Sequence, residues 1–220
     1  MYSWKTVAVS VLILLGLKIW SPYIVDNIKW SYFDYLHSTK EKEQVEDILL
    51  VNIDEKSIEK YGQYPFPRDV YADTLWETHH SNTHVFNILF AEKDRFGQDE
   101  YFANGLQNRL TVLSSAPTNQ SGKGNAPYVN TSIFGGGAIK EHVWQFDGLI
   151  SPTQFLQDSA YGMGVTIATP SVPNTPNFDQ TIRSAPAIVM ANDIVYPSLA
   201  LETLRALGCL LYTSPSPRDA

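Results

Sequence analysis

The first half of the chain alternates apolar runs of strand length with segments that have helical spacing. Residues 48–53, which are almost entirely Ile, Leu and Val, predict a buried strand, and residues 84–90 and 110–113 predict two more. Residues 68–80 and 100–109 place their apolar side chains at the spacing of a helix. This alternation predicts an α/β domain with a mainly parallel sheet flanked by helices.

The second half of the chain predicts a hairpin and a last helix. Residues 114–137 are rich in Ser, Asn, Pro and Gly, which is typical of a loop. Strand-like segments return at residues 162–167, 187–190 and 194–196. Asn192 and Asp193 lie between the last two and predict the turn of a C-terminal hairpin. Residues 198–207 then predict a helix.

The N-terminus predicts a membrane anchor. Residues 6–17 form an almost unbroken apolar run between Lys5 and Lys18, which is too short to cross a bilayer by itself. If Lys18 snorkels, the segment extends to Val25 and reaches about twenty residues. No small-residue cleavage pattern follows the apolar run, which favours an uncleaved anchor over residues 1–25 rather than a signal peptide. Lysines on both sides leave the orientation undecided.

Composition narrows the class of protein. Hydrophobic residues make up 44% of the chain and charged residues 18%, as expected for a folded domain. The 16 Lys and Arg residues are outnumbered by 23 Asp and Glu residues, which gives a net charge of −7. Binding to nucleic acid depends on basic side chains that neutralise phosphates. We therefore expect no nucleic-acid partner.

The C-terminal tail is predicted to be foreign to the natural protein. Residues 209–219 match eleven consecutive codons of a sequencing adapter, so we predict that residues 209–220 are foreign and that the natural protein continues differently after Gly208. The single cysteine, Cys209, lies in this tail. The predicted domain of residues 26–208 therefore has no disulfide, thiol chemistry or cysteine-bound metal.

Acidic residues follow two of the predicted strands. Asp54 and Glu55 come directly after the first, and Glu92 and Asp94 follow the second. Because ligands of open parallel sheets bind beyond the carboxyl ends of the strands, these carboxylates are candidates for one binding edge.

An arginine is positioned near the same edge. Pro65 and Pro67 fix the backbone on either side of Phe66 and so direct Arg68. Arg68 is predicted either to form a structural ion pair with Asp54 or to bind an anionic ligand, and the structural pair is the commoner arrangement. Tyr64 and Phe66 predict packing over the edge rather than a stacking site for a ligand.

No catalytic constellation is visible in the sequence. Glu92, Asp94 and Asp99 resemble a hard-cation site, although an acidic solvated loop is the commoner meaning of such a pattern. His79 and His80 are adjacent, so on a helix they point about 100° apart and are poorly placed to share a metal. We expect no catalytic residue, bound metal or cofactor.

Three motifs connect the chain to a known family: Val-Asn-Ile-Asp-Glu-Lys-Ser-Ile at 51–58, Gly-Gln-Tyr-Pro-Phe-Pro-Arg at 62–68, and Tyr-Pro-Ser-Leu-Ala-Leu-Glu at 196–202. In this order behind an apolar N-terminus, they resemble the second type of CHASE domain. Further matches are Phe33-Asp34, residues 87–90, Asp179 and Arg183. The chain departs from the family pattern at Asn87 and Gln180, and it has Tyr64 and Phe66 where tryptophan is usual.

The resemblance implies an extracytoplasmic sensor domain of a bacterial receptor in the inner membrane. It implies attachment to the membrane through the N-terminal helix, an unknown extracellular small-molecule or peptide signal, and a homodimer in the whole receptor. The effector after the sensor would be a nucleotide cyclase, a histidine kinase, a Ser/Thr kinase or a cyclic-dinucleotide enzyme, and this fragment would itself have no enzymatic activity.

Two other functions stay open at this point. One is a secreted or anchored hydrolase that uses Asp54, Glu55 and Asp94 with a divalent cation. The other is an extracytoplasmic assembly module without a ligand.

Overall fold

The computed structural model describes residues 3–20, 22–41, 45–107, 109–120, 143–167, 181–183 and 185–208. The chain divides into two compact units, Met1–Asn52 and Ile53–Ala220. Most of the loop predicted over residues 114–137, the resemblance residues Asp179 and Gln180, and the tail 209–220 lie outside the described residues.

Among the described residues of the first unit, the helical segments are α1 (Trp4–Trp20) and α2 (Pro22–Thr39). Among the helices of the described residues, none combines the length and the apolarity needed to cross a membrane. The membrane-spanning helix predicted over residues 6–25 is therefore not found among the described residues.

The buried strand predicted over residues 48–53 is wrong. These residues form no strand, and their apolar side chains are exposed, Leu50 by 76%. A strand becomes buried only when a neighbouring strand and a covering layer are available to it. The apolar composition of a segment supplies neither, which is why the pattern misled the prediction.

The second unit alternates helices and strands. Its elements in chain order are α3 (Glu55–Tyr61), α4 (Arg68–Glu77), β1 (His84–Phe86), α5 (Asp99–Leu106), β2 (Thr111–Thr118), β3 (Trp144–Phe146), β4 (Gly148–Ile150), α6 (Gln154–Ser159), β5 (Gly162–Val165), β6 (Ile188–Ala191), β7 (Ile194–Pro197) and α7 (Leu199–Ala206). The α/β class is thus confirmed, together with the predicted helices α4, α5 and α7. The sequence patterns did not predict α2, α3, α6, β3 or β4.

The strands form two mixed sheets rather than one mainly parallel sheet. In the first, β2 pairs in parallel with β1 and β5 and in antiparallel with β4. In the second, β6 pairs in parallel with β3 and in antiparallel with β7. The prediction failed because β2 extends to Thr118, into the stretch predicted as loop, and this extension pairs with β4.

The predicted C-terminal hairpin is confirmed. Strands β6 and β7 pair from Ile188 opposite Pro197 to Ala191 opposite Ile194. Asn192 and Asp193 between them have φ values of 49° and 64°. Positive φ at both central residues is the requirement of the turn that best matches the twist of a two-residue hairpin.

The main core of the second unit is aromatic. Phe90 and Phe102 are fully buried with ring centroids 5.1 Å apart, and Tyr71 packs edge-on against Phe90 at 5.2 Å. Leu75 of α4, Leu113 of β2 and Leu156 of α6 complete the same cluster. Helices α4, α5 and α6 therefore share one core with the first sheet. A second cluster joins β4, β5 and the second sheet around Leu149, Val165, Val189 and Tyr196.

Candidate functional site

Arg68 occupies a buried position at the start of α4. Only 7% of the residue is exposed, and its guanidinium carbon lies 4.4 Å from the centre of the Phe90 ring. Its Nε donates to Oδ1 of Asp99 at 3.3 Å, and its Nη2 donates to the backbone oxygen of Glu92 at 2.9 Å. Arg68 therefore contacts both ends of the segment from Glu92 to Asp99, which follows β1 in the chain.

The loop from Glu92 to Asp99 is closed by its own carboxylates. The second oxygen of Asp99 accepts a hydrogen bond from the amide of Asp94 at 2.9 Å. The carboxylate of Asp94 accepts one from the amide of Gln98, also at 2.9 Å. Gly97 has a φ of 75°, a conformation that glycine adopts at little cost. The side chains of Asp94 and Asp99 therefore act as acceptors for backbone amides of this loop.

The Tyr-Pro-Phe-Pro segment packs Arg68 against the core. Phe66 is 3% exposed and joins the aromatic cluster, whereas Tyr64 is 45% exposed and meets Phe66 edge-on at 5.8 Å. The peptide between Tyr64 and Pro65 is cis, and the Pro65 oxygen accepts a bond from Nη2 of Arg95 at 2.9 Å. Phe66 thus anchors the segment immediately before α4.

The predicted pair between Arg68 and Asp54 is not formed. Asp54 caps α3 instead, since its Oδ1 accepts from the amide of Ser57 at 2.9 Å and from the Ser57 hydroxyl at 2.8 Å. These hydrogen bonds, the backbone bond first, hold the pKa of Asp54 below its usual value. Glu55 is exposed in the first turn of α3. The capping box satisfies Asp54 locally, which leaves Asp99 as the partner of Arg68.

The seven candidate residues therefore separate into two groups. Arg68, Phe66, Asp94 and the backbone of Glu92 belong to one network, with Tyr64 at its rim, whereas Asp54 and Glu55 form the start of α3. Within the described part of the chain, no group of three or more His, Cys, Asp or Glu residues is arranged to hold a metal ion. Asp99 is the important residue that the pairing prediction missed.

A second ion pair joins Glu202, the buried last residue of the motif at 196–202, to Arg205 on the next turn of α7. Glu202 is 2% exposed, and both of its oxygens accept from Arg205, at 2.8 Å from Nε and 2.6 Å from Nη2. These hydrogen bonds raise the pKa of Arg205. Ser198 caps the helix with its hydroxyl, which accepts from the amide of Leu201 at 3.2 Å.

Two glycines of β5 allow α7 to approach the sheet. A Cβ atom at Gly164 would lie 2.7 Å from the amide nitrogen of Leu199 and 2.8 Å from the oxygen of Ser198. A Cβ atom at Gly162 would lie 3.0 Å from Cδ of Glu202 and closer still to its Oε1. Close packing of this motif therefore fixes the start of α7 against the end of β5.

Comparison with known proteins identifies the family. A family model described as the CHASE2 domain matches residues 6–215. The chain belongs to the CHASE2 family. This confirms the resemblance drawn from the three motifs. CHASE2 domains are extracellular sensory domains of receptors and are not catalytic. No curated protein and no solved structure gives a significant match.

Two of the CHASE2 motifs enclose the residues with the clearest structural roles. The motif at 62–68 contains Phe66 and Arg68, which join the aromatic core to the loop after β1. The motif at 196–202 contains Ser198 and Glu202, which fix α7. The third contains Asp54, the cap of α3. In this CHASE2 domain the described contacts of all three motifs are structural.

Proposed function

We propose that this chain is the extracytoplasmic signal-sensing part of a bacterial transmembrane receptor. The observation that carries the proposal is the CHASE2 match, which extends over residues 6–215 and includes both compact units. In the whole receptor, an effector would follow the sensor. It would be a nucleotide cyclase, a histidine kinase, a Ser/Thr kinase or a cyclic-dinucleotide enzyme.

We further propose that the N-terminal segment of residues 1–25 attaches the sensor to the inner membrane, with residues 26–208 outside. The apolar surface of α1 supports this. Leu12 is 67% exposed and Ile19 81%, and no acidic residue occurs in the helix. Exposed apolar surface of this extent is typical of a segment that meets lipid or another protein.

The signal would act by shifting populations of the sensor, in a receptor that works as a homodimer. A ligand changes an equilibrium only as far as it binds two conformations unequally. Helix α7 would transmit such a conformational change out of the domain. It is the last described helix, and its backbone lies in close contact with β5. A shift of β5 would therefore move α7 with it.

Reporter fusions test the proposed topology. An enzyme active only in the periplasm, joined after Gly208, should be active and should sediment with membranes. Leu12→Arg places a charge in α1 at a cost of about 3 kcal/mol if that helix is in lipid, and should reduce the membrane-bound fraction. The matched change Leu36→Arg in α2 should leave that fraction unaltered.

Three other outcomes of these experiments would contradict the proposed topology. A soluble product trimmed at its N-terminus would indicate a cleaved secretory signal. Activity of a fused reporter that works only in the cytoplasm would indicate the opposite orientation. Equal loss of membrane binding from Leu12→Arg and Leu36→Arg would show that α1 is not the attachment.

A further inference from the structure

Helix α2 carries an exposed stripe of mostly apolar side chains. The stripe consists of Val25, Ile28, Tyr32, Tyr35 and Thr39, which follow one another at alternating spacings of three and four residues. Ile28 is 66% exposed, and Tyr32 and Tyr35 are each 62% exposed. The spacing keeps these side chains on one side of the helix over about 20 Å, and it is the spacing found along the seam between two coiled helices.

The opposite side of α2 has a different character. The ring centroids of Trp30 and Phe33 lie 5.8 Å apart, and those of Phe33 and His37 lie 4.4 Å apart. Asp26 and Asp34 lie about 140° around the helix from the centre of the stripe, because successive residues are about 100° apart. The aromatic rings of that side therefore contact one another within α2, and both carboxylates are kept away from the stripe.

The charge of α2 argues against lipid as the partner of the stripe. Helices that lie on a membrane surface are rich in Lys and Arg, which are attracted to anionic headgroups. Helix α2 contains one lysine, Lys29, and two aspartates, Asp26 and Asp34. Exposed tyrosines beside aliphatic side chains are instead typical of surfaces that bind protein.

The arrangement of the stripe suits a second copy of the same helix. Two copies attached to one membrane through α1 present their α2 helices side by side and in the same direction. In a parallel pair of coiled helices, each seam residue meets its equivalent in the other copy. Tyr32 and Tyr35 can then pack their rings in the seam while their hydroxyls reach water. Asp26 and Asp34 stay outside the seam, so no like charges meet there.

The area of the stripe indicates a weak dimer that depends on the membrane. Leu36 lies beside the stripe and is 48% exposed. Together with Ile28, Tyr32 and Tyr35, it would remove roughly 400 Å² per copy from water. A stable interface in solution buries about 800 Å² per partner. Attachment of both copies to one membrane raises their effective concentration, which compensates for the smaller area.

We propose that α2 forms the homodimer interface of this protein, with its stripe packed in parallel against the stripe of a second copy. This inference rests on the proposed attachment through α1, because that attachment aligns the two copies. It assigns the contact between the copies to one side of one helix.

Cysteine cross-linking of the full chain in native membranes tests the interface. In a Cys209→Ser background, single changes Ile28→Cys, Tyr32→Cys and Tyr35→Cys are compared with Asp34→Cys and His37→Cys under a mild oxidant. A disulfide forms only where the Cα atoms approach within about 7 Å, so the three stripe positions should give at least about threefold more dimer than the two controls. Equal cross-linking at all five positions, a maximum at Asp34 or His37, or no cross-linking would overturn the proposal.

A charge in the seam gives a second test. Tyr32→Glu places two like charges opposite each other in the pair and should reduce cross-linking through Ile28→Cys at least about threefold. His37→Glu is the matched control, since it adds the same charge on the opposite side of α2, and it should leave that cross-linking unchanged. Equal effects of the two changes would refute the interface.

Fractionation of the same samples separates the two proposals. Chains that sediment with membranes but lack the cross-linking pattern would refute the interface and leave the attachment standing. Chains that are absent from the membranes would refute the attachment and, with it, the parallel alignment of two copies.

Discussion

Replacing Arg68 with alanine should destabilise the second unit, because Arg68 holds the loop after β1 to the core. The change removes a hydrogen bond to the Asp99 carboxylate, a bond to the Glu92 oxygen, and the contact with the Phe90 ring. A hydrogen bond to a charged group contributes about 1.5–3 kcal/mol, and a cation over a ring contributes about 0.5–2 kcal/mol.

The net loss should be smaller than the sum of these contributions. The Asp99 side chain is 19% exposed and keeps its bond from the amide of Asp94, so water can compensate part of the lost partner. We expect a decrease of about 2–3 kcal/mol in the free energy of unfolding. For a domain of this size, that corresponds to a decrease of about 4–12 °C in Tm.

Urea unfolding of the full chain, followed by near-ultraviolet circular dichroism, measures this effect through the aromatic core. Lys93→Ala is the matched control, because it removes a positive charge from an exposed position of the same loop. Arg68→Ala combined with Asp99→Asn should cost less than the sum of the two single changes, because the residues form one pair. Equal stability of Arg68→Ala and Lys93→Ala, or strict additivity with Asp99→Asn, would refute the structural role of Arg68.

Three further predictions concern packing, pH and capping. Gly164→Ala should destabilise the second unit far more than Gly16→Ala destabilises the first, since a Cβ at Gly164 meets the backbone of Leu199 and Gly16 has open space; urea midpoints of both variants check this, and equal shifts would contradict the close seat of α7. Burial lowers the pKa of His84 from 6.5, so the stability it contributes is complete above pH 6.5 and is lost as the pH falls through the lowered value. Between pH 5 and 8, the free energy of unfolding should therefore decrease toward acid pH, and it should decrease less in His84→Gln. An unchanged slope in that variant would contradict this role of His84. Asp54→Ala should speed amide hydrogen exchange at Ser57 and Ile58 and leave the core amides unaffected, because the cap acts only on α3; protection that does not change would show the cap to be dispensable.

The local elements that the sequence determined are those whose signals lie within a few residues. Asn192 and Asp193 predicted the hairpin because both tolerate positive φ. Helices α4, α5 and α7 were predicted from apolar spacing, and Ser198 does cap α7. The three motifs also predicted the family, because their residues and their order can be recognised in the sequence without the structure.

The partners of charged groups were decided only by the tertiary structure. Arg68 is equally compatible in sequence with Asp54 and with Asp99, but Asp54 is satisfied within four residues by Ser57, and the loop brings Asp99 to the guanidinium. Residues 48–53 have the composition of a buried strand and yet form none. Strand pairing joins segments far apart in the chain, so composition cannot select the neighbour, and β4 beside β2 was missed for the same reason. The contact of Arg109 with the Trp76 ring likewise joins residues far apart in the chain, a relation that no local pattern encodes.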